Sequence, residues 1–152
     1  MNTALIAESF ILNAPTDGTP EHLVSIQREP ERAALLPGTL GSVQLRYHSL
    51  QLIPVDLVDD VPGIWRALLE ALESFLATGE AEVPFPNLEA GIVITGHGPW
   101  TKFTPGSVRH LVEPDLLIDG ILAGAAEYYS FAGSEHAADA ARVAALRAGT
   151  RA

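Results

Sequence analysis

An imidazole and an indole lie three residues apart in the segment Gly96–Trp100 (GHGPW), directly after a short apolar run. A histidine between two glycines at a strand end is able to act as a general base, and the glycines leave backbone N–H groups open to an oxyanion. Trp100 would wall such a pocket, and Lys102 is the only lysine of the chain. If the protein is an enzyme, His97 and Lys102 are the predicted catalytic residues. An ordinary turn with a solvated histidine is the commoner outcome of such a segment.

Three carboxylates precede the first helical pattern of the chain. Asp56, Asp59 and Asp60 lack the alternating ligand positions, central glycine and distal glutamate of a calcium loop. Capping of the following helix explains them better, and they are also able to bind arginines of a partner. The predicted binding residues are therefore Asp56, Asp59, Asp60, His97 and Trp100.

Neither a metal nor a cofactor is predicted. His110 would face His97 if the strands flanking 98–106 paired as a hairpin, but a metal would need Glu113 or Asp115 as a third ligand. That spacing matches no known site. The sequence contains no phosphate-binding or dinucleotide-binding motif and no nucleophile motif of the G-x-S-x-G type.

Composition narrows the class of partner. The chain carries 19 acidic and 9 basic side chains, a formal net charge of −10. Such a charge repels phosphate backbones, so no nucleic-acid partner is predicted, and it attracts a basic protein over distance. Only 18% of residues are charged whereas 47% are hydrophobic. This low charge density favours self-association, so a homo-oligomer is also expected.

The compartment is predicted from what the sequence lacks. The chain has no cysteine, which excludes a disulfide framework and a thiolate nucleophile. Residues 1–12 do not have the pattern of a signal peptide, and no apolar run reaches the ~18 residues of a membrane helix. We therefore expect a cytoplasmic protein without membrane contact.

The hydrophobic periodicity predicts the order β-β-β-α-β-β-α-α. The N-terminal half is expected to form a hairpin over 3–29 turning near Asp17-Gly18 and a strand over 42–53 with a bulge near His48. A helix follows that is capped by Asp60 or a neighbour, has Pro62 in its first turn and ends at Thr78-Gly79. The rest is expected to form a buried strand over 92–95, a loop over 98–106, a strand over 107–113 and helices over 115–132 and 135–148, the last capped by Ser134. This order predicts an α+β fold, with a mostly antiparallel sheet and helices packed on one face. Gly120 and Gly124, four residues apart on a helix, predict a close intramolecular contact.

Residues 1–133 are predicted to form a single α+β domain, and 134–152 an alanine-rich helix packed on the domain or on a partner. The leading hypothesis for function is a non-enzymatic acidic protein-binding module, such as an inhibitor or a toxin-neutralising immunity-type protein. The first alternative is a small homo-oligomeric enzyme or ligand-binding protein with a pocket around His97 and Trp100. The second is a structural subunit of a larger assembly.

Overall fold

A computed structural model of the chain describes residues 5–13, 22–36, 38–133 and 136–151. Within these ranges, helices combine with two antiparallel sheets, so the predicted α+β class and antiparallel strand pairing are confirmed. The strands are divided between two sheets rather than gathered in one. An 18-residue helix separates the sheets in sequence and packs against both.

The first sheet comes from the N-terminal half of the chain. Its strands are β1 (Leu5–Asn13), β2 (His22–Ser25), β3 (Leu40–Tyr47), β4 (Leu50–Gln51) and β5 (Asp59–Asp60), with a short helix α1 (Pro30–Ala34) between β2 and β3. The order is β2-β1-β3-β4, and β5 also pairs with β3. The predicted pairing of β1 with β2 is confirmed, while its turn near Asp17-Gly18 lies outside the described residues.

The second sheet follows the helix α2 (Val61–Thr78). Its strands are β6 (Glu80–Pro84), β7 (Gly91–His97), β8 (Trp100–Pro105) and β9 (His110–Val112), and they are adjacent in chain order. Two further helices, α3 (Pro114–Ala132) and α4 (Ala137–Arg151), complete the described fold. Strand β6 is not among the predicted elements, because prolines at positions 84 and 86 are more typical of a connection between elements than of a strand.

The bulge predicted near His48 is wrong. His48 and Ser49 form a two-residue turn with φ of 49° and 75°, and Tyr47 pairs with Leu50 across it. Positive φ at both central residues is the geometry of a tight hairpin turn, usually built from Asn-Gly or Asp-Gly. Because His-Ser lacks that signature, the shift in apolar alternation was interpreted as a bulge inside one strand.

Helix α2 forms the centre of the core. Asp60 caps it as predicted, its carboxylate accepting a hydrogen bond from the backbone N of Gly63 at 3.1 Å. Trp65 is fully buried and donates from Nε1 to Ser9 Oγ of β1 at 2.9 Å. Gly79, with a φ of 85°, ends the helix. The predicted apolar stripe therefore faces the core from Ile64 to the half-buried Phe75, while Leu76 is 43% exposed.

Helix α3 lies close against β1 through its two glycines. A Cβ added to Gly120 would lie 2.3 Å from Leu5 Cδ2, and one added to Gly124 would lie 2.4 Å from Ala7 Cβ. Both distances are shorter than any real carbon contact, so these positions need glycine. The predicted close intramolecular contact is confirmed.

Helix α4 packs on α3 and α2. Val143 is its fully buried apolar residue, and Arg142 forms an ion pair with Glu73 of α2. The hydrogen bond from Arg142 lowers the pKa of Glu73. The predicted cap Ser134 lies outside the described residues.

Candidate functional site

His97 is the last residue of β7, so the predicted position at a strand end is confirmed, and the segment after it forms a tight hairpin. His97 pairs with Trp100 across Gly98 and Pro99, and Gly98 has a φ of 59°. The predicted loop over 98–106 is wrong, because most of it is strand β8. Prolines at positions 99 and 105 and Gly106 indicated a loop, but they lie at the two ends of β8, where a strand tolerates them.

The two faces of the second sheet differ in burial. The inner face packs on α2 and contains residues that are at most 6% exposed: Ala81, Val83, Ile92, Ile94, Thr101, Phe103 and Val112. The outer face carries the alternate residues, which are exposed or half-buried: Glu80, Glu82, Val93, Thr95, His97, Trp100, Lys102, Thr104 and Leu111. Alternation along each strand therefore produces one surface that faces solvent.

One row of side chains crosses all four strands of this outer face. The register pairs Glu80 with Thr95, Thr95 with Lys102 and Lys102 with Leu111. Next to this row is the pair His97–Trp100. Trp100 and Leu111 remain 41% and 50% exposed. An exposed indole and an exposed leucine on one flat face form a surface typical of protein recognition.

An acidic edge borders this face. Glu80 and Glu82 are exposed on β6, the edge strand of the second sheet. Glu82 also lines, with Glu89, an open cavity of about 490 Å³ at the turn between β6 and β7. We call Glu80, Glu82 and Glu89 the acidic rim. These residues were not predicted as part of a site because β6 was not predicted, although the alternation Glu80-Ala81-Glu82-Val83 is typical of a strand.

The free edge of β6 is poorly suited to pairing with another strand. Two backbone hydrogen bonds flank the pairing of β6 with β7: Phe85 N donates to Ala90 O, and Gly96 N donates to Gly79 O. Because alternate residues of an antiparallel strand bond to the same neighbour, the odd-numbered residues of β6 bond to β7. The N–H and C=O groups of the even-numbered residues therefore point away from β7. On that side, the carbonyl of Glu80 accepts from Ser74 Oγ and Thr78 Oγ1, and Pro84 has no N–H to offer. A partner is therefore better recognised by the face of the sheet than by its edge.

The carboxylates predicted to bind a partner are not grouped on the surface. Asp59 is 1% exposed and accepts hydrogen bonds from Asn87 and Leu88, in the turn between β6 and β7, and from Asp60 N. Burial by itself raises the pKa of Asp59, but these hydrogen bonds outweigh it and hold the pKa below its usual value. Asp60 caps α2, so Asp56 alone of the three is exposed.

The two histidines do not meet. His97 pairs with Trp100, whereas His110 lies two strands away and pairs with Phe103 at a different level of the sheet. His110 is on the inner face and its Nε2 is buried without a hydrogen-bond partner among the described residues. Within the same residues, no group of three or more histidine, aspartate or glutamate side chains is arranged to hold a metal.

Two cavities lie along α3 and α4, and His97 lines neither of them. One of about 600 Å³ is lined by Leu76, Asp115, Ile118, Asp119, Leu122, Ala123 and Arg147. The other, of about 560 Å³, is lined by Ala126, Tyr129, Ser130, Ala140, Val143, Ala144, Arg147 and Ala148. They share Arg147, and together we call them the α3–α4 groove. Tyr129 is 2% exposed, and its hydroxyl has no hydrogen-bond partner in the described part of the chain.

Comparisons with protein-family models, with curated proteins and with solved structures found no match to this chain. No described helix is both long enough and apolar enough to cross a membrane.

Proposed function

We propose that the protein is a non-enzymatic binding module that binds a basic protein partner on the outer face of the second sheet. The observation that supports this best is the exposed pair of Trp100 and Leu111 on a face bordered by the acidic rim. Tryptophan is enriched among residues that dominate binding energy, because it buries a large apolar surface and offers one N–H donor. An inhibitor or a toxin-neutralising immunity-type protein is the form of module that the composition favours.

The charges of the protein favour a basic protein as the partner. Glu80 and Glu82 of the acidic rim lie on the edge strand opposite Leu111, Glu89 lies in the turn between β6 and β7, and Lys102 is the only lysine on the face. The net charge of −10 adds long-range attraction for a cationic protein and raises its association rate. Trp100 and Leu111 would supply most of the binding affinity, and the acidic rim would select a basic partner and orient it.

The enzymatic alternative at His97 and Lys102 receives less support. A general base needs a group that orients it and a site that excludes water. His97 is exposed at a hairpin, and its imidazole has no hydrogen-bond partner among the described residues. Both side chains lie on the outer face of the sheet, and neither lines the two cavities along α3 and α4.

The proposal is tested by binding to the basic proteins of the source cell, retained on a cation exchanger and passed over the immobilised chain. Trp100→Ala is expected to weaken the affinity for the retained partner by ~30-fold, the loss typical of a dominant contact residue. The double variant Glu80→Gln, Glu82→Gln is expected to slow association several-fold and to reduce the salt dependence of binding.

Leu35→Ala is the matched control, because Leu35 is 84% exposed on a different surface. It removes an exposed apolar side chain without touching the sheet, so it should bind as the wild type does. Equal capture by wild type and Trp100→Ala, or capture that is insensitive to salt, would rule out this face as the binding surface.

A further inference from the structure

We infer that the basic protein bound by the outer face of the second sheet also presents an acidic side chain, which pairs with Lys102. This inference rests on the proposed function, because it specifies the partner of the same face. It is carried by the position of Lys102 between the two exposed apolar residues, and by the charge that the chain leaves unpaired there.

Lys102 lies between Trp100 and Leu111 on the outer face. Trp100 precedes it by two residues on β8, so both side chains project from the same face, ~7 Å apart along the strand. Leu111 is the residue paired with Lys102 on the neighbouring strand β9, ~5 Å away. A partner that covers both Trp100 and Leu111 therefore also covers Lys102.

The ammonium group of Lys102 has no counter-charge within the described part of the chain. Four arginines, Arg28, Arg32, Arg66 and Arg142, each form an ion pair with a carboxylate of the protein. Lys102 forms none with any described residue, although acidic side chains outnumber basic ones by 19 to 9. Since Lys102 is half-buried and lacks an ion pair, its charge depends on water for solvation.

Removal of this water upon binding is costly. A buried charge without a partner is strongly unfavourable, and only an opposite charge in good geometry offsets the loss of water. A contact surface that is purely apolar or purely basic would leave the Lys102 ammonium group unpaired inside the interface. A carboxylate of the partner supplies both the opposite charge and the hydrogen-bond acceptors.

The carboxylates of the chain itself do not take this role. In the register, Thr95 separates Lys102 from Glu80, so the two backbones lie ~10 Å apart across three strands. Glu113, which follows β9, accepts a hydrogen bond from the Tyr47 hydroxyl at 3.0 Å. Because the acidic rim meets the basic side chains of the partner, the partner presents its acidic side chain ~10 Å from them.

Reversal of the Lys102 charge distinguishes an ion pair from attraction by net charge alone. Lys102→Glu makes the chain more acidic, so a partner attracted only by net charge would associate faster and bind at least as tightly. With an acidic side chain facing position 102, the variant should instead raise the dissociation constant of the basic protein retained by the immobilised chain at least ~30-fold, chiefly through faster dissociation.

Arg46→Glu is the matched control. It makes the same change in net charge on β3 of the first sheet, at a side chain that also has no ion pair among the described residues. This variant should bind the retained protein at least as tightly as the wild type does. Circular dichroism checks that both variants fold.

Carbodiimide cross-linking measures the contact directly. The reagent joins an amine to a carboxylate in contact with it, and Lys102 is the only lysine of the chain. Mass spectrometry of the cross-linked complex is expected to find an amide between Lys102 and an aspartate or glutamate of the retained protein. Lys102→Arg keeps the charge but lacks a reactive amine, so it should still bind and should lose this cross-link.

The outcomes separate the inference from the proposed function. Unchanged or tighter binding of Lys102→Glu, or cross-links that join only carboxylates of the chain to lysines of the retained protein, would overturn the inference and leave the proposed function intact. Failure of the wild type to retain any basic protein would remove the proposed function, and the inference with it.

Discussion

Replacing Gly41 by alanine is expected to prevent folding, with a loss of more than about 4 kcal/mol in the free energy of unfolding. Gly41 lies in the middle of the first sheet, opposite Ile11 of β1 and Asp59 of β5. A Cβ at this position would lie 1.8 Å from the backbone carbonyl oxygen of Phe10 and 2.9 Å from Val61 Cγ2. A backbone atom of a central strand cannot move aside, so β1 and β3 would have to separate.

The matched control is Gly96→Ala, the same chemical change in the other sheet. Gly96 is exposed on β7, and a Cβ added there meets no atom within 4 Å. Loss of glycine restricts the unfolded chain, so this variant should be neutral or more stable by ~0.5 kcal/mol. Circular dichroism measures whether each of the two variants folds, and urea denaturation measures its free energy of unfolding. A Gly41→Ala protein that unfolds at the wild-type urea concentration would show that the strands do not approach this closely.

The contrast between these glycines shows what the sequence can predict. The sequence around Gly41 does not reveal its role, because glycine in general weakens strands and is typical of their ends. Its actual role depends on the close approach of β1, which is distant in sequence. Gly120 and Gly124 were predicted correctly to allow a close contact because their four-residue spacing places both on one face of a helix. Local periodicity therefore identified the helical contact but not the one between strands.

The same dependence on contacts distant in sequence explains why the candidate site was predicted only in part. Trp100 and His97 were selected from the sequence because they follow a buried strand, and they do lie together on the outer face. The apparent loop after them is strand β8, so both side chains project from the outer face of a sheet. Leu111, Glu80 and Glu82 join that surface only through the register of four strands, and register is set by long-range pairing.

The roles of the carboxylates before α2 were predicted only in part. Capping by Asp60 could be predicted because the cap and its helix are adjacent in sequence. The role of Asp59 could not, because its donors, Asn87 and Leu88, lie more than 25 residues further along the chain. An aspartate beside a helix start is usually solvated, whereas this one connects the edge of the first sheet to the turn between β6 and β7.

Asp59→Ala is expected to lower the free energy of unfolding by ~3 kcal/mol. The carboxylate accepts from Asn87 N at 2.8 Å, from Leu88 N at 3.1 Å, and from Asn87 Nδ2 and Asp60 N at 2.7 Å each. Hydrogen bonds to a charged group contribute ~1.5–3 kcal/mol each, but Asn87 is exposed and water would replace part of this loss. Asp56→Ala, at an exposed position, is the control and should change stability by at most ~0.5 kcal/mol. Urea denaturation at neutral pH compares the free energies of unfolding of the two variants with that of the wild type.

The pH dependence of the free energy of unfolding distinguishes the contribution of the Asp59 charge from the contribution of its side-chain packing. Because the folded-state pKa of Asp59 is lowered, its stabilising contribution is present above the unfolded-state pKa of ~3.9 and is lost as the pH falls through the folded-state value. Asp59→Asn keeps the size of the side chain but cannot ionise. The difference in unfolding free energy between wild type and Asp59→Asn should therefore stay constant from pH 7 to ~5 and decrease below ~4. A difference that persists unchanged at pH 3 would mean that packing, not the ionised carboxylate, connects the two sheets.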